Sequence, residues 1–330
     1  MITCAAPKLE EIRNSGKIFY VPSAEVCART VVVTGKRIRI AQIKDEELVE
    51  GVSVHDPELL LSQLRESKLE ADVFTFTQRP PRVTPDYDYH LKWENWAVTP
   101  TNSFKQWWEK LPQVTRKNVR RATRRGVVVK IVPLDDKLVN SIHSIYNETP
   151  IRGGRFFWHF GKDVETIKRG LVTYLERSNF IGAYCGEELI GFIKMVYVDD
   201  MATLMHIIAM NAHYDKRPMN ALIAKAIEVC EKKGISFLVY GQFVYGKNDQ
   251  SSFVEFKRRN GFEQVNFPRY YVPLTPKGEV FVRLRLYRGF SSFVPKRLLQ
   301  PLLHFREWYC KAVSSSPLWK RKISAGVAQR

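Results

Sequence analysis

Apolar and polar positions in the second half of the chain predict alternating strands and helices. Residues 201–210 form a mostly apolar run typical of a buried strand, and residues 235–243 form another. Between them, apolar residues recur at helical spacing over residues 221–233, and Gly234 follows the last turn. This pattern predicts, in order, a strand, a loop, a helix and a second strand.

The first hundred residues predict a smaller α/β lobe. Residues 29–43 alternate in the manner of strands and are rich in β-branched side chains, and residues 71–77 predict another strand. Asp56 and Pro57 have the identities expected at the N-cap and first position of a helix over residues 56–67. The proline-rich stretch 77–90 predicts a loop that leads into the next strand.

The loop NAHYDKRPMN, residues 211–220, precedes the predicted helix of the second half. A helix N-terminus presents unpaired backbone N–H groups, which bind anions such as phosphate. Lys216 and Arg217 add positive charge, and Pro218 suits a first helical turn. We therefore expect donor phosphate to bind at this loop, through Lys216, Arg217, Met219 and Asn220.

The stretch SSFVEFKRRNGFEQV, residues 251–265, places Phe256 and Lys257 just before an Asn-Gly turn. A fixed cation near peptide dipoles can stabilise charge that develops on a carbonyl during acyl transfer. The same residues also suit a simple helix end, at which Lys257, Arg258 and Arg259 are solvated and favoured by the helix dipole. Both interpretations remain open from spacing alone.

The order of these elements resembles the core of the GNAT acyltransferase superfamily, and the Phe-Lys pair before a glycine resembles its Fem-type branch of peptidoglycan aminoacyltransferases. The resemblance covers roughly residues 93–274 and includes WWEKLPQVTRKNVRRATRRGVVVKI, which is similar to the family's basic helix, glycine and strand. It implies an α/β fold with a mixed sheet flanked by helices and two GNAT-like lobes. It also implies that Phe256 and Lys257 lie at the transfer site, with acyl-CoA or aminoacyl-tRNA as the donor and no metal.

Two departures leave the donor open. The common CoA-binding loop of GNAT enzymes contains glycines that let backbone N–H groups approach the pyrophosphate, whereas DKRPMN contains none. Many GNAT enzymes also place a tyrosine before the final Gly-Phe as a general acid, and Phe256 stands there in this chain. The resemblance therefore does not decide between acyl-CoA and aminoacyl-tRNA.

Composition sets the outer limits of these interpretations. With 330 residues, of which 45% are hydrophobic, the chain can bury a substantial core. Its five scattered cysteines indicate reduced thiols without a disulfide framework or zinc site. We found neither a signal-peptide pattern nor an apolar run of the roughly 18 residues that span a bilayer, so we expect a cytoplasmic protein.

The formal net charge of +18 is concentrated in two places. One is the predicted helix TRKNVRRATRRG, whose like charges destabilise a helix unless an anion compensates them. We expect the charges to bind phosphate groups of an acceptor, a tRNA backbone or membrane headgroups, or else to form a solvated face; the assigned residues are Arg116, Lys117, Arg120 and Arg124.

The other basic region is the tail, residues 276–330. Residues 275–330 hold twelve Lys or Arg against two Glu, and the tail intersperses these charges with aromatic and apolar residues at helical spacing. Such a segment can lie on an anionic membrane surface, which would make the protein peripheral at the inner membrane. The alternative is that its apolar stripe packs against the rest of the protein.

Residues 146–163, YNETPIRGGRFFWHFGKD, lie in the region where GNAT-like proteins build the acceptor pocket. Arginines next to a Gly-Gly pair can approach an anion, and aromatic faces can stack on a sugar or base. We expect Arg152, Arg155, Trp158 and His159 to line this pocket. The alternative is a surface loop anchored in the core, with His159 as a structural histidine.

The combined prediction is an acyl- or aminoacyltransferase that modifies an amine on an anionic acceptor, such as a cell-envelope precursor. We expect a smaller lobe over residues 1–100, a catalytic lobe over 101–275 and the basic tail over 276–330. Two other classes remain open. One is a non-enzymatic nucleic-acid binder, and the other is a degenerate GNAT fold that serves as an adaptor on membranes.

Overall fold

A mixed sheet of twelve strands runs through the part of the chain that the structure, a computed structural model, describes: residues 8–14, 17–51, 56–246 and 251–288. Five strands come from the first part of the chain: β1 (Lys8–Asn14), β2 (Lys17–Val26), β3 (Arg29–Thr34), β4 (Ile40–Ile43) and β5 (Val73–Thr77). Neighbours are antiparallel except for the parallel pair β4 and β5. Helix α1 (Pro57–Glu66) covers this region, and Leu60, Leu61 and Leu64 pack with Phe74 and Phe76.

The remaining strands of the large sheet are β6 (His90–Pro100), β7 (Val127–Val132), β10 (Ser178–Cys185), β11 (Glu188–Val198), β12 (Met201–Ala209), β13 (Phe237–Val239) and β14 (Glu263–Pro273). Beyond β5, the spatial order is β14, β6, β13, β12, β11, β10 and β7. Strand β14 is antiparallel to both β5 and β6, so a late segment of the chain joins the first five strands to the others. A separate hairpin consists of β8 (Ile151–Arg152) and β9 (Arg155–Phe156).

The helices of the second part are α2 (Phe104–Lys110), α3 (Gln113–Arg124), α4 (Asp136–Asn147), α5 (Val164–Leu171), α6 (Pro218–Lys232), α7 (Ser252–Arg259) and α8 (Pro276–Arg283). They cover both faces of the sheet. Successive side chains of a strand point to opposite faces, so each face has apolar side chains that a helix can bury. In β10, Ile181 packs in the cluster that contains α6, while the adjacent Phe180 packs with α4 and α5. Helix α6 is the most buried, since most of its residues lie in the core.

Most predicted elements are confirmed, including the Asp56 cap, whose carboxylate accepts from the backbone N–H of Leu59 at 2.9 Å. The strand predicted over residues 235–243 pairs only at Phe237–Val239. It ends there because the chain turns at Gly241, which has a φ of 56°. The helix predicted from residue 221 already begins at Pro218.

The three predicted domains stay a prediction. Helix α8 packs against β14, with Val282 fully buried beside Val73 and Tyr271. Residues 289–330, which hold the rest of the predicted basic tail, lie outside the described residues. Within the described ranges, no helix is both long and apolar enough to cross a membrane.

Candidate active site

Strands β12 and β13 separate in the middle of the sheet. They pair in parallel only where Met201–Thr203 lies beside Phe237–Val239. Strand β13 ends at Val239, but β12 continues to Ala209. Among the described strands, none pairs with this edge of β12 beyond Thr203, so its backbone N–H and C=O groups are left for another partner.

A cavity of about 920 Å³ opens at this separation, between the first five strands and the rest of the sheet. One wall comes from residues 44–48, which follow β4. The opposite wall comes from the end of α4, the segment 158–162 and α5. Thr203 and His206 of β12 and Gln242, which follows β13, also line it, so the cavity reaches the separated strands.

The wall beside α4 is aromatic and carries two imidazoles. The ring of His159 lies 4.2 Å from that of Tyr146 and 4.0 Å from that of Trp158, centre to centre. His206 follows at 5.5 Å from His159, and the Tyr146 hydroxyl is 3.4 Å from its Nδ1. Burial lowers the pKa of His159 to about 2 and that of His206 to about 3, so both rings are neutral at pH 7.

The wall formed by residues 44–48 is acidic. Arg269 bridges Glu46 at 3.1 Å and Glu94 at 2.9 Å, and Glu46 also accepts from the backbone N–H of Thr77 at 2.6 Å. Burial alone would lower the pKa of Arg269, but the two carboxylates outweigh it and raise this pKa above its usual range. Glu47 opens into the cavity beside them without forming an ion pair among the described residues.

Glu47 titrates at a higher pH than an ordinary glutamate. Although the side chain is exposed to the cavity, the surrounding walls remove part of its hydration, and this desolvation raises the pKa of Glu47. The negative charges of Asp45 and Glu46 raise it further, while Arg269 and a backbone hydrogen bond act in the opposite sense. A carboxylate whose pKa is raised in this way is a stronger base than an ordinary glutamate.

Lys257 lies immediately behind the cavity wall and is fully buried. Its Nζ donates to the backbone carbonyl of Gln242 and lies 4.7 Å from the ring centre of Tyr240 and 4.8 Å from those of Tyr245 and Phe253. We call these three rings the aromatic cage. Burial lowers the pKa of Lys257 to about 8. The ammonium is therefore not part of the cavity lining itself. It contacts Gln242 and Tyr245, which do line the cavity.

We call residues 211–220, which are predicted to bind donor phosphate, the donor loop. The end of α7 is fixed to the start of α6, beside this loop. Asn220 donates to the Asn260 side chain at 2.9 Å, and Asn260 donates in turn to the carbonyl of Phe256 at 2.7 Å. Trp107 donates to the backbone carbonyl of Asn260 at 3.2 Å. Phe256 itself is half-buried against the core that contains α6. Asn220, predicted to bind the donor, thus joins the two helices.

The other donor-loop residues lie together at the start of α6. Lys216 Nζ is 2.8 Å from His213 Nδ1, and the guanidinium carbon of Arg217 is 4.8 Å from the ring centre of Tyr214. The Nε of Arg217 is buried and has no hydrogen bond. No side chain caps the helix, and Met219 is its first residue after Pro218 with a backbone N–H. This loop fits a phosphate through side-chain charge rather than through the several backbone N–H groups of a glycine-rich loop.

The basic face of α3 lies beside this loop. An ion pair between Arg125 and Asp215 connects the end of α3 to the segment that leads into α6. The assigned residues Arg116, Lys117, Arg120 and Arg124 form no ion pair within the described part of the chain. Lys117, Arg120 and Arg124 are exposed. Their charges are therefore available to an external anion.

The predicted acceptor residues divide into two groups. Trp158 and His159 line the cavity. Arg152 instead donates to the carbonyls of Ala209 and Ile145 and to Glu148, at 2.7 to 2.9 Å, and Arg155 is exposed in the β8–β9 hairpin. The predicted roles of all four residues stay predictions.

Several cavity residues were missed by the sequence analysis, namely Glu47, Tyr146, His206, Gln242 and Arg269. Two of them left a signal. His206 is the one charged or imidazole side chain in the apolar run 201–210, and Arg269 similarly interrupts the strand NFPRYYVP. An ionisable residue in a strand that is otherwise built for a core needs a polar partner or a cavity.

No protein-family model matches the sequence, and no curated protein matches it. The fold is nevertheless shared with solved structures. FemX superposes with a TM-score of 0.57 over 84% of this chain and 90% of its own, at 10% sequence identity. The predicted resemblance to Fem-type proteins is thus confirmed for the fold.

Two further solved structures share the fold. A C-terminal domain named as that of a lysylphosphatidylglycerol synthetase from Agrobacterium fabrum matches with a TM-score of 0.51 and 13% identity, over 81% of this chain and 88% of that one. L-PGS from Bacillus licheniformis matches with a TM-score of 0.50 and 10% identity over the same shares. At such identities the likeness concerns the fold alone.

Proposed function

We propose that this protein is an acyl- or aminoacyltransferase whose reaction takes place in the cavity at the separation of β12 and β13. The observation that carries the proposal is the coincidence of three features there: the free edge of β12, the cavity and Lys257 in its aromatic cage. The fold shared with FemX supports it. In this proposal the first five strands and the rest of the sheet form the two GNAT-like lobes.

The separated edge of β12 provides a path for the donor. It extends from Thr203 at the cavity to Ala209 near the donor loop, which at 3.3 Å per residue is about 20 Å. A donor with phosphate at one end and an acyl group at the other could lie along this edge. When bound, it supplies an acyl carbonyl activated as a thioester or ester.

The protein's own groups would then act on that carbonyl. Free backbone N–H groups of β12 can donate to its oxygen, where charge develops during transfer, and such donors are worth about 3 kcal/mol each. The ammonium of Lys257 holds the Gln242 carbonyl and places a positive charge behind the wall. We propose Lys257, together with Phe256 on the same helix, as residues that position and polarise this wall.

The position of the basic face favours an aminoacyl-tRNA over acyl-CoA as donor. From Arg124, near the donor loop, to Arg116, the basic face runs along α3 for about 12 Å. Acyl-CoA does not need so long a series of charges, whereas a nucleic-acid backbone presents a phosphate at each nucleotide. The acceptor is proposed to be an amine, and membrane contact through residues 276–330 remains a proposal from sequence.

A transfer assay with both donors tests the proposal. Lys257→Met keeps the side-chain volume but removes the charge, so transfer should fall by about tenfold or more. Lys137→Met, at a position where 77% of the side chain is exposed, is the matched control and should leave transfer unchanged. Unchanged turnover in a folded Lys257→Met protein would show that the site is wrongly assigned.

The donor is decided by binding measured at two salt concentrations. Discrimination for the charged over the uncharged tRNA supports aminoacyl transfer, and saturable binding of acetyl-CoA that persists in high salt supports acyl-CoA. Salt-labile binding of both, without transfer, would instead support the polyanion-binding alternative, which the exposed basic face of α3 favours.

A further inference from the structure

The outer side of α8 exposes apolar side chains that the core does not use. The inner side is packed closely, since a Cβ added to Gly278 would lie 1.8 Å from the backbone carbonyl oxygen of Asp72. On the outer side, Val280 is 56% exposed, Leu284 one turn later is 59% exposed, and Leu286 is 42% exposed. Helix α8 therefore has apolar residues on two sides, and the described residues bury only the inner one.

The turn between β3 and β4 is fixed to the start of this helix. Lys277 donates from Nζ to the backbone carbonyl of Arg37, although the two residues are 240 positions apart in the sequence. The buried carboxylate of Asp72 lies 3.7 Å from Lys277 Nζ and accepts from the backbone N–H of Arg39 at 2.8 Å. Arg39 in turn pairs with Glu70. The two carboxylates at this junction are thus matched by cations, and the junction holds α8 and the turn as one surface.

The remaining exposed charges of this surface are mainly positive. Lys36 and Arg37 of the turn are exposed, as are Arg283 and Arg285 at the end of α8, and none of the four forms an ion pair with another described residue. Glu279 is the one acidic residue of α8. We call the surface made by Lys36, Arg37, Val280 and residues 283–286 the α8 face. None of these residues lines the cavity.

The combination of charge and apolar side chains favours an anionic lipid surface as the partner. Lys and Arg are attracted to anionic headgroups, and apolar side chains between them enter the boundary of headgroups and acyl chains. A nucleic-acid backbone would use the charges but would leave Val280 and Leu284 in water. The described chain ends at Arg288, two residues beyond Leu286, and residues 289–330 hold eight Lys or Arg against one Glu, with two tryptophans.

We propose that the α8 face binds the surface of a membrane that contains anionic lipids. Val280 and Leu284 enter the headgroup boundary, and the basic side chains around them contact headgroup phosphates. The inference goes beyond the proposed transferase function and does not depend on it, because the α8 face lies outside the cavity. It also differs from a contact made by the basic tail alone, because Lys36 and Arg37 belong to the first part of the chain.

Co-sedimentation of the full chain with vesicles tests the charges of the α8 face. We expect salt-sensitive binding to vesicles of phosphatidylglycerol and phosphatidylcholine, and much weaker binding to phosphatidylcholine alone. The charge variant, Lys36→Gln with Arg37→Gln, should bind the anionic vesicles about tenfold more weakly. The matched control, Lys137→Gln with Lys232→Gln, removes two exposed charges elsewhere and should bind like the wild type.

A second variant tests the apolar side chains. Val280→Ser with Leu284→Ser should weaken vesicle binding by about tenfold, because less apolar area enters the bilayer. It should leave unchanged the binding of a single-stranded oligonucleotide, which measures attraction to phosphate without a bilayer. Val128→Ser with Leu59→Ser changes the same residue types at exposed positions outside the α8 face and is the matched control. Thermal unfolding checks that each variant is folded.

Three results would overturn the inference: no binding of the wild type to anionic vesicles, equal binding to phosphatidylcholine vesicles, or unchanged vesicle binding in either folded variant. Unchanged vesicle binding in both variants would assign the membrane contact to residues 289–330. Loss of oligonucleotide binding in the charge variant with unchanged vesicle binding would make the α8 face a nucleic-acid surface instead. Because no acyl donor is present, these results are independent of transfer.

Discussion

At the residue scale, Lys257 shows how opposing effects set the charge of a buried group. Removal from water disfavours the ammonium, whereas three ring faces and the carbonyl of Gln242 favour it. Desolvation has the larger effect, since the pKa falls from 10.5 to about 8. The side chain nevertheless remains mostly protonated at pH 7, so the cage holds a cation close to the cavity.

This pKa predicts how stability changes with pH. Below about pH 8 both the folded and unfolded states bind the proton, and the full cost of burying the charge is present. Between about pH 8 and 10.5 the unfolded chain binds more protons, so the free energy of unfolding should gain roughly 3 kcal/mol from this group.

Urea unfolding of the wild type and Lys257→Met at pH 7.5 and 10.5 measures this effect, because other titrating groups cancel in the comparison. We expect the stability of the wild type relative to the variant to rise with pH. Parallel pH dependence in the two proteins would mean that the pKa of Lys257 is not lowered.

At the element scale, the end of α7 is the best-defined feature. Asn260 and Gly261 terminate the helix, and Gly261 adopts a φ of 83°, which disfavours residues with a side chain. The Asn-Gly sequence predicts this turn. What fixes the turn in space is the indole of Trp107, which bonds the Asn260 carbonyl from a helix more than 150 residues earlier in the chain.

Gly261→Ala should therefore destabilise the protein by two mechanisms. The added Cβ would lie 2.8 Å from Trp107 Nε1, in addition to the strain of the positive φ. Gly186→Ala has the strain alone, since nothing lies within 4 Å of its Cβ and its φ is +61°. Thermal or urea unfolding should show a loss of about 1 kcal/mol for Gly186→Ala and about 1 to 3 kcal/mol more for Gly261→Ala. Equal losses of stability in the two variants would show that Trp107 moves away from the added Cβ at little energetic cost.

The helices and strands could be predicted from the sequence, but the arrangement of the candidate site could not. Helix α1 and strand β12 were predictable because caps and apolar runs are local signals. The cavity could not be predicted, because Glu47, His159 and Arg269 are far apart in the sequence and come together only when distant strands pair. A local sequence pattern does not indicate such pairing. The basic face was visible as charge, but its position beside the donor loop depends on the Arg125–Asp215 contact.

At the scale of the whole molecule, Arg269 connects the two parts of the sheet. It lies on β14 and reaches Glu46, which follows β4, and Glu94 on β6. Each carboxylate side chain is less than one quarter exposed, so neither can be solvated fully if the cation is removed. The same three residues line the cavity, so its shape depends on this junction between the two parts of the sheet.

Arg269→Met should lower the free energy of unfolding by about 3 kcal/mol, because it leaves two partly buried carboxylates without a cation. The triple variant that adds Glu46→Gln and Glu94→Gln should recover much of this loss. Arg82→Met is the matched control, since it breaks the Arg82–Asp86 pair at a side chain that is 50% exposed and should cost less than about 1 kcal/mol. A loss as small as that of the control, measured by urea unfolding, would show that the junction does not depend on Arg269.

The place of β14 between β5 and β6 also governs the order in which the molecule can be completed during synthesis. Until residues 263–273 have left the ribosome, β5 has no neighbour on one side and exposes Phe74 and Phe76 near an open edge. Such an edge pairs readily with other chains. A nascent chain that stalls before β14 should therefore need protection by a chaperone, even though its first five strands are already made.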